Sequence, residues 1–122
     1  MRYIVTRDAD DRVMAIVKRD DGTFYSLPHI PVHSPDGFEM GYSGSGPADL
    51  ALAILADHLK ASKKKEHYTT AKIYTRPLER RVWRLHQDFK VKFVAKRKDT
   101  LDLSSEQIQA WIDLHDVREY DG

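Results

Sequence analysis

The 122-residue sequence contains no cysteine, which excludes disulfides, thiolate metal centres and cysteine nucleophiles and fits a reducing compartment. It also lacks a long apolar run. The stretch around Leu50–Leu55 falls far short of the roughly 20 residues that a spanning helix needs, and Arg2 leads into a strand-like segment, not a signal-peptide core. The expectation is a cytoplasmic protein with no membrane partner. Net charge is scarce too, at +1. What is present suits a single domain over residues 1–122, since the 41% of hydrophobic residues can offset ordering entropy around one core.

The small net charge hides a segregation. From Lys60 to Lys98 there are 14 Lys or Arg against 3 acids, a balance of +11, so the rest of the chain carries −10. If folding keeps the two sets on different faces, the middle segment steers anionic partners; if the acids fold back, the bases are neutralised.

Elements can be read from residue type and spacing. Arg2–Arg7, Val13–Lys18 and Thr23–Leu27 are rich in β-formers and are separated by the turn residues Ala9-Asp10-Asp11 and Asp20-Asp21-Gly22, so residues 1–27 form a β-meander. Residues 28–46 hold three prolines and four glycines, which forbid a long regular element. A loop of that length is often functional. Pro47 suits the first turn of a helix capped by Ser45 or Gly46, and Leu50, Leu52, Ile54, Leu55 and Leu59 extend a core helix over 47–60. Residues 61–76 read as a basic insertion. Over 77–122 the pattern is α-β-α: Leu78, Val82, Leu85 and Phe89 at helical spacing, a strand at Val91–Ala95, and a helix announced by the capping box Ser104…Gln107. The expected fold is α+β, a small mainly antiparallel sheet with about three helices on one face.

The loop carries the most chemical interest. His33, Ser34, Tyr42, Ser43, Gly44, Ser45 and Gly46 combine donors, bare backbone and a helix N-terminus, the ingredients of a site for a nucleotide-like anion. No Walker A or dinucleotide spacing is present, and Asp49 in the first helical turn would repel a phosphate. The alternative is a tight connection in which glycine serves geometry alone. His33, Asp36 and Glu39 offer an acid/base set for a nucleotide-directed enzyme, but sequence spacing supplies no separation, and no catalytic residue is assigned. The six histidines show no metal-ligand spacing, so no metal and no cofactor are expected. In the basic segment, Lys63, Lys64, Lys65, Lys72, Arg76, Arg80, Arg81 and Arg84 alternate with aromatics. This is a candidate partner surface for a protein or for nucleic acid, although no nucleic-acid-binding signature accompanies it.

The segments His33-Ser34-Pro35-Asp36-Gly37-Phe38-Glu39-Met40-Gly41-Tyr42, Gly44-Ser45-Gly46-Pro47-Ala48-Asp49-Leu50-Ala51-Leu52-Ala53 and Leu85-His86-Gln87-Asp88-Phe89-Lys90 resemble a family of small proteins of bacteriophages, plasmids and other mobile elements, known as a domain of unknown function. The resemblance runs through nearly the whole chain and implies genomic company rather than an activity. It makes the leading expectation a non-enzymatic binding protein that inhibits bacterial antiviral defence. Its partner would be a host defence protein or nucleoprotein complex, or it would sequester a nucleotide signal. The alternatives are a nucleic-acid-binding accessory protein and an enzyme.

Overall fold

A computed structural model describes residues 1–63 and 80–116, with the backbone alone for 61–63. Strands β1 (Arg2–Arg7), β2 (Val13–Lys18) and β3 (Phe24–Ser26) form the meander, and β4 (Thr100–Ser104) adds to the free side of β1. The result is a four-stranded antiparallel sheet in the order β3-β2-β1-β4. Helix α1 (Ser45–Lys63), helix α2 (Arg80–Phe89) and helix α3 (Ser105–His115) complete an α+β fold of the class the sequence predicts.

The sheet has one buried face because strand side chains alternate. Tyr3, Val5, Ala15, Val17, Leu101 and Leu103 point inward and are buried. The register pairs them across strands: Tyr3 with Val17 and Leu103, Val5 with Ala15 and Leu101. Both hairpin turns rest on aspartates. Asp8 accepts from the Asp10 and Arg12 N–H groups, and Asp21 from Thr23, where Gly22 takes the left-handed φ of 91° that the turn needs.

Helix α1 is the centre of the core: every residue from Leu50 to Leu59 is buried. A helix covered on all sides carries apolar residues all round, as this one does, and its polar exceptions need partners. Asp57 finds them in the sheet, accepting from the Tyr3 hydroxyl at 2.6 Å and from the Tyr25 hydroxyl at 2.8 Å. His58 finds Gln109 on α3. Burial, reinforced by the Asp57 carboxylate, pushes the Tyr25 hydroxyl well above the usual tyrosine range, which keeps it a donor.

One expected element is different. The stretch Val91–Ala95 is not a strand: α2 runs on into a π-helical turn over Lys90–Val94, closed by Ala95 N–H donating to the Lys90 carbonyl five residues back. The alternation of Val91, Phe93 and Ala95 misleads because Val94 is the fully buried residue and Val91 stands in solvent. The wider turn sets Phe93 beside Phe89, ring centres 4.8 Å apart, and both rings pack on Trp111 of α3. The strand expected there lies at Thr100–Ser104. The core helix expected over 47–60 begins at Ser45 and ends at Lys63. The basic insertion beyond that point and the helix start at Pro77 lie outside the described residues.

Candidate functional site

Residues 27–46 are pinned at both ends and in the middle. Leu27, Ile30 and Met40 are buried in the core, and Phe38 packs its ring edge-on to His29 at 4.8 Å. Arg7 ties the far side down. Its guanidinium donates to the Lys98 carbonyl at 2.7 Å, to the Glu39 carboxylate at 3.1 Å and to the Met40 and Asp11 carbonyls at 3.2 Å.

The near side is held by Asp49, which is 0% exposed one turn into α1. Its Oδ1 accepts from the His33 N–H at 2.8 Å, and its Oδ2 from the Ser34 N–H and the His29 Nε2–H at 2.9 Å each. The carboxylate thus faces the loop backbone, not an incoming anion, and three donors offset the cost of burying its charge.

This arrangement delivers His33 to a second histidine. The His33 and His86 Nε2 atoms lie 3.0 Å apart, joining the loop to α2 across 53 residues of sequence. His86 Nδ1 lies 2.9 Å from the Trp83 carbonyl, which can only accept, so Nδ1 carries the proton. Burial holds the His86 imidazole below the usual histidine range and the His33 ring pushes the same way, against the pull of the Trp83 carbonyl. Neutral His86 therefore presents a bare Nε2 lone pair, and His33 Nε2–H donates to it. His86 is buried with Val82, Leu85 and Phe89 on the inner side of α2, whereas His33 is exposed.

The glycines of the loop serve its own packing. A Cβ on Gly44 would stand 2.5 Å from the Tyr42 ring, and one on Gly46 would stand 2.6 Å from Glu39 Cβ. Gly41 takes the left-handed φ of 89°, and a Cβ there would stand 3.2 Å from the Arg97 carbonyl oxygen and from Lys98 Cα. Bare backbone that sequence reading offers to a ligand is here covered by neighbouring side chains. Ser43 and Ser45 are exposed, Tyr42 is exposed over Gly44, and Ser34 is half-buried with its N–H committed to Asp49. The suggested acid/base set is not gathered around His33 by any of these bonds. Glu39 is paired with Arg7, Asp36 is exposed, and the hydrogen-bonded neighbour of His33 is another imidazole.

Of the candidate partner residues, Arg80, Arg81 and Arg84 lie on α2, where Asp116 pairs with Arg84 and lies 3.9 Å from Arg81. Lys63 ends α1. Lys64, Lys65, Lys72 and Arg76 lie outside the described residues. Sequence reading weighed Asp49 only as a charge that repels phosphate and His86 only as one of six histidines without metal-ligand spacing, so neither was assigned a partner. The signal for His86 was present, because positions 82, 85, 86 and 89 form one helical stripe and a histidine on the buried stripe needs a partner. Among the described residues, no group of three or more His, Asp or Glu side chains is gathered to hold a metal ion, and no helix is long and apolar enough to cross a membrane.

A family of unknown function (DUF6166) matches residues 5–83, well over half of the chain. The match runs from within β1 through the whole loop and α1 into the start of α2, and it stops short of the Leu85–Lys90 segment that also carries the resemblance. Neither a curated protein nor a solved structure matches the chain.

Proposed function

The chain belongs to this family of unknown function, and from its own surface we propose that it is a non-enzymatic binding protein, carried by a phage or other mobile element, that docks the outer side of α2 on an acidic surface of a host protein. The observation that carries this reading is Trp83, 45% exposed between Arg80 and Arg84, with Gln87, Val91 and Lys92 exposed further along the same helical run. An indole left in water costs free energy that a partner can recover, and Trp and Arg are the residue types that most often dominate interfaces. The flanking cations bring an acidic partner in quickly and in register. A mobile-element protein of this size that occupies the working surface of a defence protein inhibits it by exclusion and needs no catalytic residue. The His33 surroundings, with Glu39 turned to Arg7, support binding over catalysis.

The test uses tag-free chain coupled to resin and exposed to lysate of a bacterial host at low salt. One host protein should be retained, be released by moderate salt, and be lost from the Trp83→Ala and Arg80→Glu chains, which should remain folded because both side chains face solvent. Equal capture by the variants, or release by nuclease instead of salt, would overturn the reading and in the second case favour nucleic acid.

A further inference from the structure

We propose that the Asp36-Gly37 dipeptide of the loop is a site of spontaneous isoaspartate formation in the folded chain, and that the matching Asp21-Gly22 dipeptide is protected from it. Both dipeptides sit in turns, both aspartates are exposed, and both glycines take a positive φ, 91° at Gly22 and 118° at Gly37. Exposure and residue type therefore do not separate them. Hydrogen bonds do. The Asp21 carboxylate accepts from the Thr23 N–H at 2.9 Å and from the Thr23 hydroxyl at 2.6 Å, and the Gly22 N–H donates to the Arg19 carbonyl at 3.0 Å. Among the described residues, no hydrogen bond or ion pair reaches the Asp36 carboxylate, and no bond of normal geometry holds the Gly37 N–H. A Cβ on Gly37 would meet nothing within 4 Å, which leaves room for a ring to close there. The third such dipeptide, Asp121-Gly122, lies outside the described residues.

The reaction needs no co-reactant but water. The Gly37 nitrogen attacks Cγ of the neutral Asp36 acid, an N–Cγ bond forms, the Cγ–OH bond breaks, and the amide proton leaves with the hydroxyl as water, closing a five-membered succinimide. Water then opens the ring. Cleavage at Cγ restores aspartate, whereas cleavage at the Asp36 main-chain carbonyl carbon leaves the chain running through the side chain, with its mass unchanged. Glycine favours closure because no Cβ crowds the attacking nitrogen. At Asp21 the carboxylate and the attacking N–H are both held in other bonds, and the Thr23 hydrogen bonds keep that carboxyl below the usual carboxylate range, so the neutral acid is scarcer there. Conversion at Asp36 inserts one carbon into the main chain between two anchors, the Ser34 N–H on Asp49 and Glu39 on Arg7. It also exposes an α-carboxylate, which makes the converted loop a substrate for carboxyl methyltransferases that recognise isoaspartate and take their methyl group from S-adenosylmethionine.

The experiment ages the full chain for several weeks in warm, near-neutral buffer, with and without urea, and locates isoaspartate by electron-transfer fragmentation of its peptides. In the folded chain isoaspartate should accumulate at least about tenfold faster at 36 than at 21, the ratio expected where two or more hydrogen bonds must break before the ring can close. In urea the two rates should converge. Thr23→Ala, at an exposed position, should speed conversion at 21 alone, and Asp36→Glu, which would have to close a larger ring, should abolish it at 36. Equal rates at the two sites in the folded chain, or no conversion at 36 in the folded chain, would overturn the proposal.

Discussion

Asp49 and His86 are polar residues placed where the helical pattern calls for apolar ones, and each is satisfied by a residue of the same loop. For Asp49 the burial of a charge is offset by three donors. For His86 it is avoided by staying neutral. That choice has a pH consequence whose direction follows from linkage. In the unfolded chain His86 takes a proton near its ordinary value of about 6.5, whereas burial holds it neutral to lower pH in the fold. Below about pH 6.5 the unfolded state therefore binds the extra proton and stability falls as pH falls, by at most about 1.4 kcal/mol per unit. The loss ends once pH passes the lowered value in the fold. Asp21, held below the usual carboxylate range by its Thr23 hydrogen bonds, acts in the same direction but only near and below pH 4 or so. Urea unfolding between pH 8 and 5 should show the slope, and His86→Gln should flatten it. An undiminished slope in the variant would assign it to another group.

At the scale of elements, ends were more legible than partners. The capping box of α3 is present as read: the Ser104 hydroxyl accepts from the Gln107 N–H at 3.1 Å, and the Gln107 side chain accepts from the Ser104 N–H at 2.9 Å. Ser104→Ala should cost about 1 kcal/mol and lower Tm by roughly 4 °C in a domain of this size. Calorimetry checks this, and a Tm within a degree of the parent would mean that β4, which also contains Ser104, holds the helix start without the cap. Capping and turn chemistry are local, so the meander and the start of α3 were readable, whereas α1 begins at Ser45, two residues before the start expected at Pro47, with the Gly44 carbonyl accepting from the Ala48 N–H. The loop was readable as a loop, and its glycines as close approaches, but not what approaches them. Tyr42 over Gly44 and Glu39 over Gly46 follow from three-dimensional packing that spacing does not encode. The strand misplaced at Val91–Ala95 failed for a similar reason, since an alternating pattern and the inner stripe of a continuing helix overlap over five residues. The pairing of His33 with His86 depends on how the loop and α2 meet, and no periodicity reports that.

At the scale of the whole molecule, the question left by the sequence was whether the acids fold back on the basic segment. The ion pairs among the described residues bear on it for residues 80–98. Met1 with Asp20, Arg2 with Asp102, and Arg7 with Asp11 and Glu39 all lie within the acidic remainder of the chain. The bonds from Asp116 to Arg81 and Arg84 cross between the two sets. Arg80, Lys92, Lys96, Arg97 and Lys98 are exposed, against a single acid, Asp88, in the same stretch. Charges of one sign held together act over about 10 Å at 0.1 M salt, regardless of the net charge of the molecule. The chain should therefore behave as a cation towards a surface that meets this face and as an anion towards one that meets the hairpin turns. At pH 8, close to its isoelectric point of about 8.0, it should be retained at low salt by both cation and anion exchangers, whereas a chain with mixed charges would pass through both. Replacing Arg80 and Lys92 with Glu should abolish retention on the cation exchanger alone. Equal loss on both resins would mean that the two charge sets act as one, and the basic face would then have no steering field of its own to offer a partner.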